Sequence, residues 1–301
     1  MLTKIHLKSK LLVATFLLIW NMALPLEACT LFAATQKDFV AEGGTLVAKN
    51  RDWLPQHQEL RLVVPAKGYK YYGLFAGEQA TFSAAGVNEK GLYVAMSTAG
   101  SIPKAVRLSY KAYRSGEGLS ANEYMLRYCG SVQEALDSKE NFWQRPGNFI
   151  LADKGEIAYV EVGPDGKKSI ERTTRGVIYH TNHYVCDDML SYNKKVGKSS
   201  LLRYYRIEEL MTNHPGTFTL EDFIKVSEDK QGGADNSIYR IGSKPNGTQN
   251  VGVFIAYLPK QGPAKLYVKY RPEPEDKGKE RIVRVNNLSE LFTNTKETTK
   301  M

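Results

Sequence analysis

The sequence predicts an α+β fold in which helices cover stacked antiparallel sheets. Strand patterns come first in a set, helical patterns fill the middle, and strands return before the C-terminus. That order argues for segregated layers rather than alternating βαβ units. Neighbouring strand segments are joined by short Gly- and Asn-rich turns, as in hairpins. The 42% hydrophobic fraction supplies a sizeable core.

The first element is a targeting segment. Lys4, Lys8 and Lys10 precede an apolar run from Leu11 to Leu18, which Ile19, Trp20 and Met22 extend. Pro25 breaks the helix, and Ala28 stands last before a cut. This pattern predicts a cleaved secretory signal peptide over residues 1–28. An uncleaved anchor needs about 20 apolar residues, more than the run supplies. A single domain over residues 29–301 with a polar C-terminal tail is expected, exported to a periplasmic or secreted location.

Thr30–Ala34 and Thr45–Ala48, joined by Gly43-Gly44, predict a hairpin. Strands follow at Leu60–Val64, Tyr69–Leu74, Ala80–Val87 and Gly91–Ser97, the last two joined by a turn at Asn88-Glu89-Lys90-Gly91. The middle predicts a helix at Ala121–Tyr128, then another opened by a capping box at Ser131 and Glu134. A second hairpin joins Asn148–Ala152 to Ile157–Val162, and a strand covers Val177–Thr181. Ser200 is read as capping a helix through Met211, with Leu201, Leu202, Tyr205 and Leu210 on its apolar side. Thr219 and Asp222 open one more helix, through Val226. Strands return at Val251–Tyr257 and Lys265–Tyr270. The tail from Glu273 is charged and polar.

A net charge of +9 invites a nucleic-acid partner. No basic cluster interleaved with aromatics supports one, so nucleic acid is not expected. Anionic envelope surfaces or anionic substrates are a better use of the charge. Of three cysteines, an odd count leaves at least one thiol unpaired within the chain. Cys129 and Cys186 either pair or remain two inert thiols.

Cys29 carries the chemistry. A thiol is mostly protonated at neutral pH and needs a base. A cysteine at a mature N-terminus brings its own, since an α-amine titrates near 7.7 to 8.0 and lies within reach of the sulfur. No histidine is then required, and none of the five sits in a recognisable cysteine-protease context. The competing use of Cys29 is lipidation, which makes a lipid-anchored envelope binding protein. It is disfavoured by Glu27 and by a strand that begins at once, where a polar tether is usual.

Cys29-Thr30, followed after about twenty residues by Asn50-Arg51-Asp52-Trp53, resembles the linear-amide cysteine hydrolases of the N-terminal nucleophile superfamily. Choloylglycine hydrolases, penicillin V acylases and penicillin acyltransferases belong there. Gly86–Leu92, Asn148–Asp153 through Glu161, His180–His183 and Ser200–Arg203 resemble further segments of that group in order and spacing. The resemblance implies a four-layer αββα sandwich of the Ntn-hydrolase type. It also implies an exported hydrolase acting on an N-acyl amine, an N-acyl amino acid, a conjugated bile salt or a penicillin V-like amide. The acyl group would pass through a thioester on Cys29, and acyl transfer is the close variant. Cys29 would be nucleophile and base. Asp52 would hold the α-amine, Asn182 would donate to the oxyanion, and Arg203 would support the site electrostatically.

Two departures stand out. Lys49 occupies the place where bile salt hydrolases carry arginine, while Arg51 lies two residues on and on the same strand face. Arg51 is preferred for the site, because it adjoins Asp52 and its fork could bind a carboxylate. Thr98 falls near the position of their oxyanion asparagine, as a substrate-binding residue. Singly, Asp52-Trp53 reads as a strand end, Arg203 as a solvated charge and Asn182 as a turn residue; it is their order that points to function. His180, His183 and Cys186 do not form a zinc signature, so neither metal nor cofactor is expected. The expected partner is a small N-acyl molecule, with membrane contact only if Cys29 is lipidated. A homo-oligomer is compatible with the sequence.

Overall fold

The computed structural model describes residues 28–77 and 80–293. The targeting segment up to residue 27 and the end of the tail from residue 294 lie outside the described residues. Two antiparallel sheets stack face to face. One has six strands in the order β10-β1-β2-β11-β12-β13, and the other has seven in the order β3-β4-β5-β6-β7-β8-β9.

The chain opens with β1 (Ala28–Thr35) and β2 (Thr45–Trp53), the expected hairpin. Gly44 has φ +77°, and a Cβ there would lie 2.3 Å from the Leu258 carbonyl oxygen, so only glycine fits this turn. The chain then crosses to the other sheet with β3 (Gln58–Val63), β4 (Tyr71–Ala76), β5 (Phe82–Asn88) and β6 (Tyr93–Ser97). After the helices come β7 (Gly147–Ala152), β8 (Ile157–Val162) and β9 (Lys168–Thr173). It returns to the first sheet by β10 (Gly176–His180). Later, β11 (Gln249–Leu258) pairs with β2, β12 (Lys265–Tyr270) with β11, and β13 (Arg281–Val285) with β12.

Alternation along the strands makes the layers. Leu31, Val47, Phe254 and Val268 of one sheet meet Leu74, Val87, Tyr93 and Ile150 of the other in a buried core. Their neighbours Phe32, Ala48, Val253 and Ile255 point outward against α4 (Lys198–Thr212) and α5 (Leu220–Ser227). On the far side, α2 (Ala121–Tyr128) and α3 (Val132–Leu136) cover the seven-stranded sheet. The result is the αββα sandwich.

Four elements have no counterpart in the sequence reading: α1 (Lys104–Ser109), β9, β13 and α6 (Leu288–Thr293). The first and last are six residues long, and β9 and β13 are edge strands with exposed, charged faces, so none carries strong periodicity. The three cysteines are free, so Cys129 and Cys186 do not pair. At α3, Ser131 accepts from Glu134 N, but the Glu134 carboxylate reaches back to Gly130 N at 2.8 Å, one residue before its place in a capping box.

The largest departure concerns α4. It starts at Lys198 after Gly197, so Ser200 lies inside it rather than capping it. Its buried face is Ser200, Arg203, Ile207 and Met211. Leu201, Leu202 and Tyr205 are exposed instead, Tyr205 by 56%. The polar members of the inner face serve the site, so the apolar pattern misleads about orientation. Ile207→Ala should therefore cost about 2 to 5 kcal/mol of stability, whereas Leu202→Ala should stay within about 0.5 kcal/mol. Urea unfolding of both variants checks this; equal losses would contradict the assigned face.

Candidate active site

The site forms where β1 and β2 pair. Cys29 lies directly opposite Arg51, and Leu31 opposite Lys49. Directly opposed residues share a face, so Cys29, Lys49 and Arg51 all look between the sheets. Thr30, Asn50 and Asp52 face the α4–α5 layer. All six are buried.

Between the sheets, Cys29, Lys49 and Arg51 line a cavity of about 390 Å³. Trp53, Phe82, Met96, Phe142 and Phe149 supply apolar wall. Lys49 Nζ donates to the Ala84 carbonyl at 3.1 Å and to the Met96 carbonyl, tying the six-stranded sheet to the seven-stranded one. Burial pulls its pKa down to about 8, opposed chiefly by the adjacent Cys29. Arg51 donates from Nε to Gln58 at 3.0 Å, and its guanidinium lies 5.0 Å from the Trp53 ring centroid and 5.5 Å from that of Phe82.

On the helix side, a polar network grips the main chain of Cys29. Its N–H donates to Asn182 Oδ1 at 2.7 Å, and its carbonyl accepts from Arg203 Nη1 at 2.7 Å. Arg203 also donates to Thr30 Oγ1 at 2.8 Å and to Asn182 Oδ1 at 3.0 Å. Its side chain is fully buried, which brings its pKa down to about 10. Asn182 Nδ2 donates one hydrogen to the Thr98 carbonyl at 2.9 Å. Thr98 thus enters through its backbone as well as lining the cavity.

Asp52 sits opposite Ala28, across from the bond that precedes Cys29. One carboxylate oxygen accepts from Asn250 Nδ2 at 3.2 Å, and no donor among the described residues reaches the other. Burial raises its pKa to about 6, against the pull of Arg240 and then Arg203.

With this geometry in place, comparison with known proteins decides the family. The family model for acyl-coenzyme A:6-aminopenicillanic acid acyl-transferase matches residues 40–271. The chain belongs to that family. Two solved structures share the acyl-transferase family chain's fold. Penicillin V acylase from Agrobacterium tumefaciens is 17% identical with a TM-score of 0.50, over 87% of this chain and 86% of that one. A variant of conjugated bile acid hydrolase from Clostridium perfringens is 15% identical with a TM-score of 0.51, over 87% and 93%. A comparison with curated protein sequences returned no match. The expected N-terminal nucleophile, linear-amide group and its sandwich fold are borne out, and the chain is an enzyme of that group.

All seven residues singled out in the sequence converge here. Asn182 meets Cys29 through its carboxamide oxygen, which accepts from the Cys29 N–H, while its Nδ2 donates to the Thr98 carbonyl. Asn250 and Arg240 escaped the sequence reading, and Ser200 and Glu161 entered it within matched segments, with no role at the site. Asn250 and Arg240 approach Asp52 only because β11 pairs with β2, a contact no local pattern announces. Ser200 Oγ accepts from Asn182 N at 3.0 Å. Glu161, fully buried on β8, accepts from Val185 N at 2.7 Å and Cys186 N at 3.2 Å, fixing the loop that carries Asn182. Burial raises the Glu161 pKa to about 7. His180 and His183 are buried nearby, and burial lowers the pKa of both, that of His183 to about 4. Among the described residues no group of three or more His, Cys, Asp or Glu could hold a metal ion.

Because native Asp52 titrates near 6 and an unfolded aspartate near 3.9, its ionisation opposes folding. Its stabilisation is fully present below about pH 4 and is lost as pH rises through 6. In a chain that keeps Ala28, the stability difference between wild type and Asp52→Asn should move against wild type by about 3 kcal/mol from pH 4 to 7. Parallel urea titrations measure it; a flat difference would mean that Asp52 is charged throughout.

Proposed function

We propose that this protein is an exported, single-domain amidohydrolase that cleaves an N-acyl amine or N-acyl amino acid through a thioester on Cys29. One observation carries the reading. The Cys29 main-chain nitrogen is held by Asn182 beside buried Asp52, while its side chain opens into an apolar cavity. Removal of residues 1–28 turns that nitrogen into an α-amine, and the open Asp52 oxygen is a ready acceptor for its ammonium form. Cys29 and Ala28 are both buried and paired in β1, which suits a nucleophile better than a lipid tether.

The chemistry then balances simply. The free amine takes the thiol proton, directly or through one water, and sulfur attacks the amide carbonyl. The second Nδ2 hydrogen of Asn182 and the neighbouring cations stabilise the oxyanion. The C–N bond breaks as the α-ammonium returns its proton to the leaving amine. Water, deprotonated by the same amine, attacks the thioester, releasing the acid and regenerating the thiol. If a second amine attacks instead, the outcome is acyl transfer. The penicillin V acylase and bile acid hydrolase neighbours support the hydrolytic course.

Between the two cations, Arg51 lies directly opposite Cys29 on β2, but the electrostatics favour Lys49 as the partner of the thiolate. Cys29 is the largest influence keeping its ammonium charged, whereas Arg51 is engaged with Gln58 and two aromatic rings.

Three outcomes are expected. Mature Cys29→Ala should fold but lose turnover, and a precursor retaining residues 1–28 should be inactive; an equally active precursor would falsify the mechanism. Lys49→Met should lower kcat by roughly 100-fold or more, while Arg51→Met should act mainly on KM. The rate should rise as the amine deprotonates near 7.7 to 8.0 and fall as Lys49 loses its proton near 8, a narrow bell. Lys49→Arg should abolish the alkaline limb, since arginine stays charged. A pH–rate profile unchanged in that variant would assign the limb elsewhere.

A further inference from the structure

Arg51 lines the cavity beside Cys29, yet what orients it comes from outside the hairpin that carries it. Its Nε–H donates to Gln58 Oε1 at 3.0 Å. Gln58 opens β3, the edge strand of the seven-stranded sheet, whereas Arg51 lies on an inner strand of the six-stranded one. The side chain that receives Arg51 is buried, with Gln58 only 1% exposed. It does not itself line the cavity.

The Gln58 carboxamide has one workable orientation. Its Nε2 donates to the Arg271 carbonyl at 3.1 Å and to the Val251 carbonyl. A flipped amide would set oxygen against two carbonyl oxygens and leave the Arg51 Nε–H facing another donor. The Val251 carbonyl is available because of a β-bulge. β11 pairs with β2 at Asn250 and Asp52, then at Gly252 and Arg51, so Val251 is an extra residue with no counterpart on β2. Its carbonyl accepts from Arg271 N at 3.0 Å as well as from Gln58.

The bulge therefore sits beside Arg51, and the residue after it keeps the space open. A Cβ on Gly252 would lie 2.8 Å from Leu74 Cδ2 and 3.6 Å from Gln58 Oε1. The Gln58 main chain is fixed too, since its N–H donates to the Pro272 carbonyl at 2.8 Å. The bulge of β11, the end of β12 and the start of β3 meet at this one carboxamide, and its remaining polar atom points at Arg51. An arginine side chain turns about several bonds, but a tether at Nε sets the plane in which its terminal nitrogens are presented. The rings of Trp53 and Phe82, with centroids 5.0 and 5.5 Å from the guanidinium, flank that plane without fixing it by a hydrogen bond.

We propose that Gln58 is the positioning residue for Arg51, fixing its guanidinium toward the cavity and, with it, the contribution of Arg51 to substrate binding. The tie stands on the hydrogen bonds alone; its effect on binding rests on the amidase reading. Gln58 touches no reacting atom, so its loss should be felt through Arg51 and nowhere else in the reaction.

The test joins a double-mutant cycle to a measurement that needs no turnover. The cycle uses mature enzyme and octanoyl para-nitroanilide. Gln58→Met keeps the side-chain length and removes its polar atoms. It should raise KM about fivefold or more and change kcat by less than about twofold. In an Arg51→Met background the same change should alter KM by less than about twofold, because no guanidinium is left to aim. The second measurement follows hydrogen exchange of the Arg51 Nε–H by nitrogen–proton correlation NMR in mature Cys29→Ala protein. Exchange should quicken about tenfold or more in Gln58→Met. It should stay slow in Gln58→Glu, whose side chain still offers Arg51 an acceptor; this variant keeps the test decisive if Gln58→Met folds poorly. Equal rises in KM with and without Arg51, a loss confined to kcat, unchanged exchange in Gln58→Met or fast exchange in Gln58→Glu overturns the positioning role. Exchange that follows the expected pattern in a protein that cleaves no amide overturns the amidase reading and leaves the tie between Gln58 and Arg51 standing.

Discussion

The contact between the Cys29 main-chain N–H and Asn182 Oδ1 organises the rest of the site. Asn182 stands in a loop just after the edge strand β10, so nothing local fixes it. Its carboxamide is oriented by Arg203 on the oxygen and the Thr98 carbonyl on the nitrogen. Its backbone is held by Ser200 from α4, and the loop beyond it by Glu161 from the opposite sheet. These supports come from α4 on one side and from the seven-stranded sheet on the other, so the position of Cys29 depends on both having packed against the six-stranded sheet. A buried amide with several partners is costly to disturb, because any one lost leaves a desolvated polar atom.

The same demand explains the polar interior of α4. A fully buried arginine is expensive unless its donors are used. Arg203 spends them on the Cys29 carbonyl, Thr30 and Asn182. The helix therefore turns its polar stripe inward and sends Leu201, Leu202 and Tyr205 out. Packing stability in this layer is borne by Ile207, Met211, Phe223 and Ile224 instead.

Much of the fold was legible because its hairpins are local. The turns at Gly43-Gly44, Asn88–Gly91 and Asp153–Glu156 sit between alternating segments, and each joins strands that do pair. The pairing of β2 with β11 was not legible, since about two hundred residues separate Asp52 from Asn250. The site followed the same rule. Cys29, Lys49, Arg51 and Asp52 lie on one hairpin, where period and register place them. Asn250, Arg240 and Glu161 enter through long-range pairing or burial, and a lone Glu or Asn in a strand pattern carries no mark of that. Ser200 was visible, but a serine ahead of a helical run looks like a cap whichever way its hydroxyl points.

The charged segment after Glu273 looks dispensable by composition. Yet β13 within it covers the free edge of β12, presenting Arg281, Ile282 and Arg284 to solvent. An uncovered β12 would offer a row of open backbone groups beside a well-packed, apolar sheet. Leu288 and Phe292 of α6 then pack into the core between the two sheets, anchoring the cover. The tail thus serves as a guard against strand addition by a second chain. Shortening the protein before residue 281 would leave the chemistry of Cys29 intact and yet give a molecule prone to join its neighbours edge to edge.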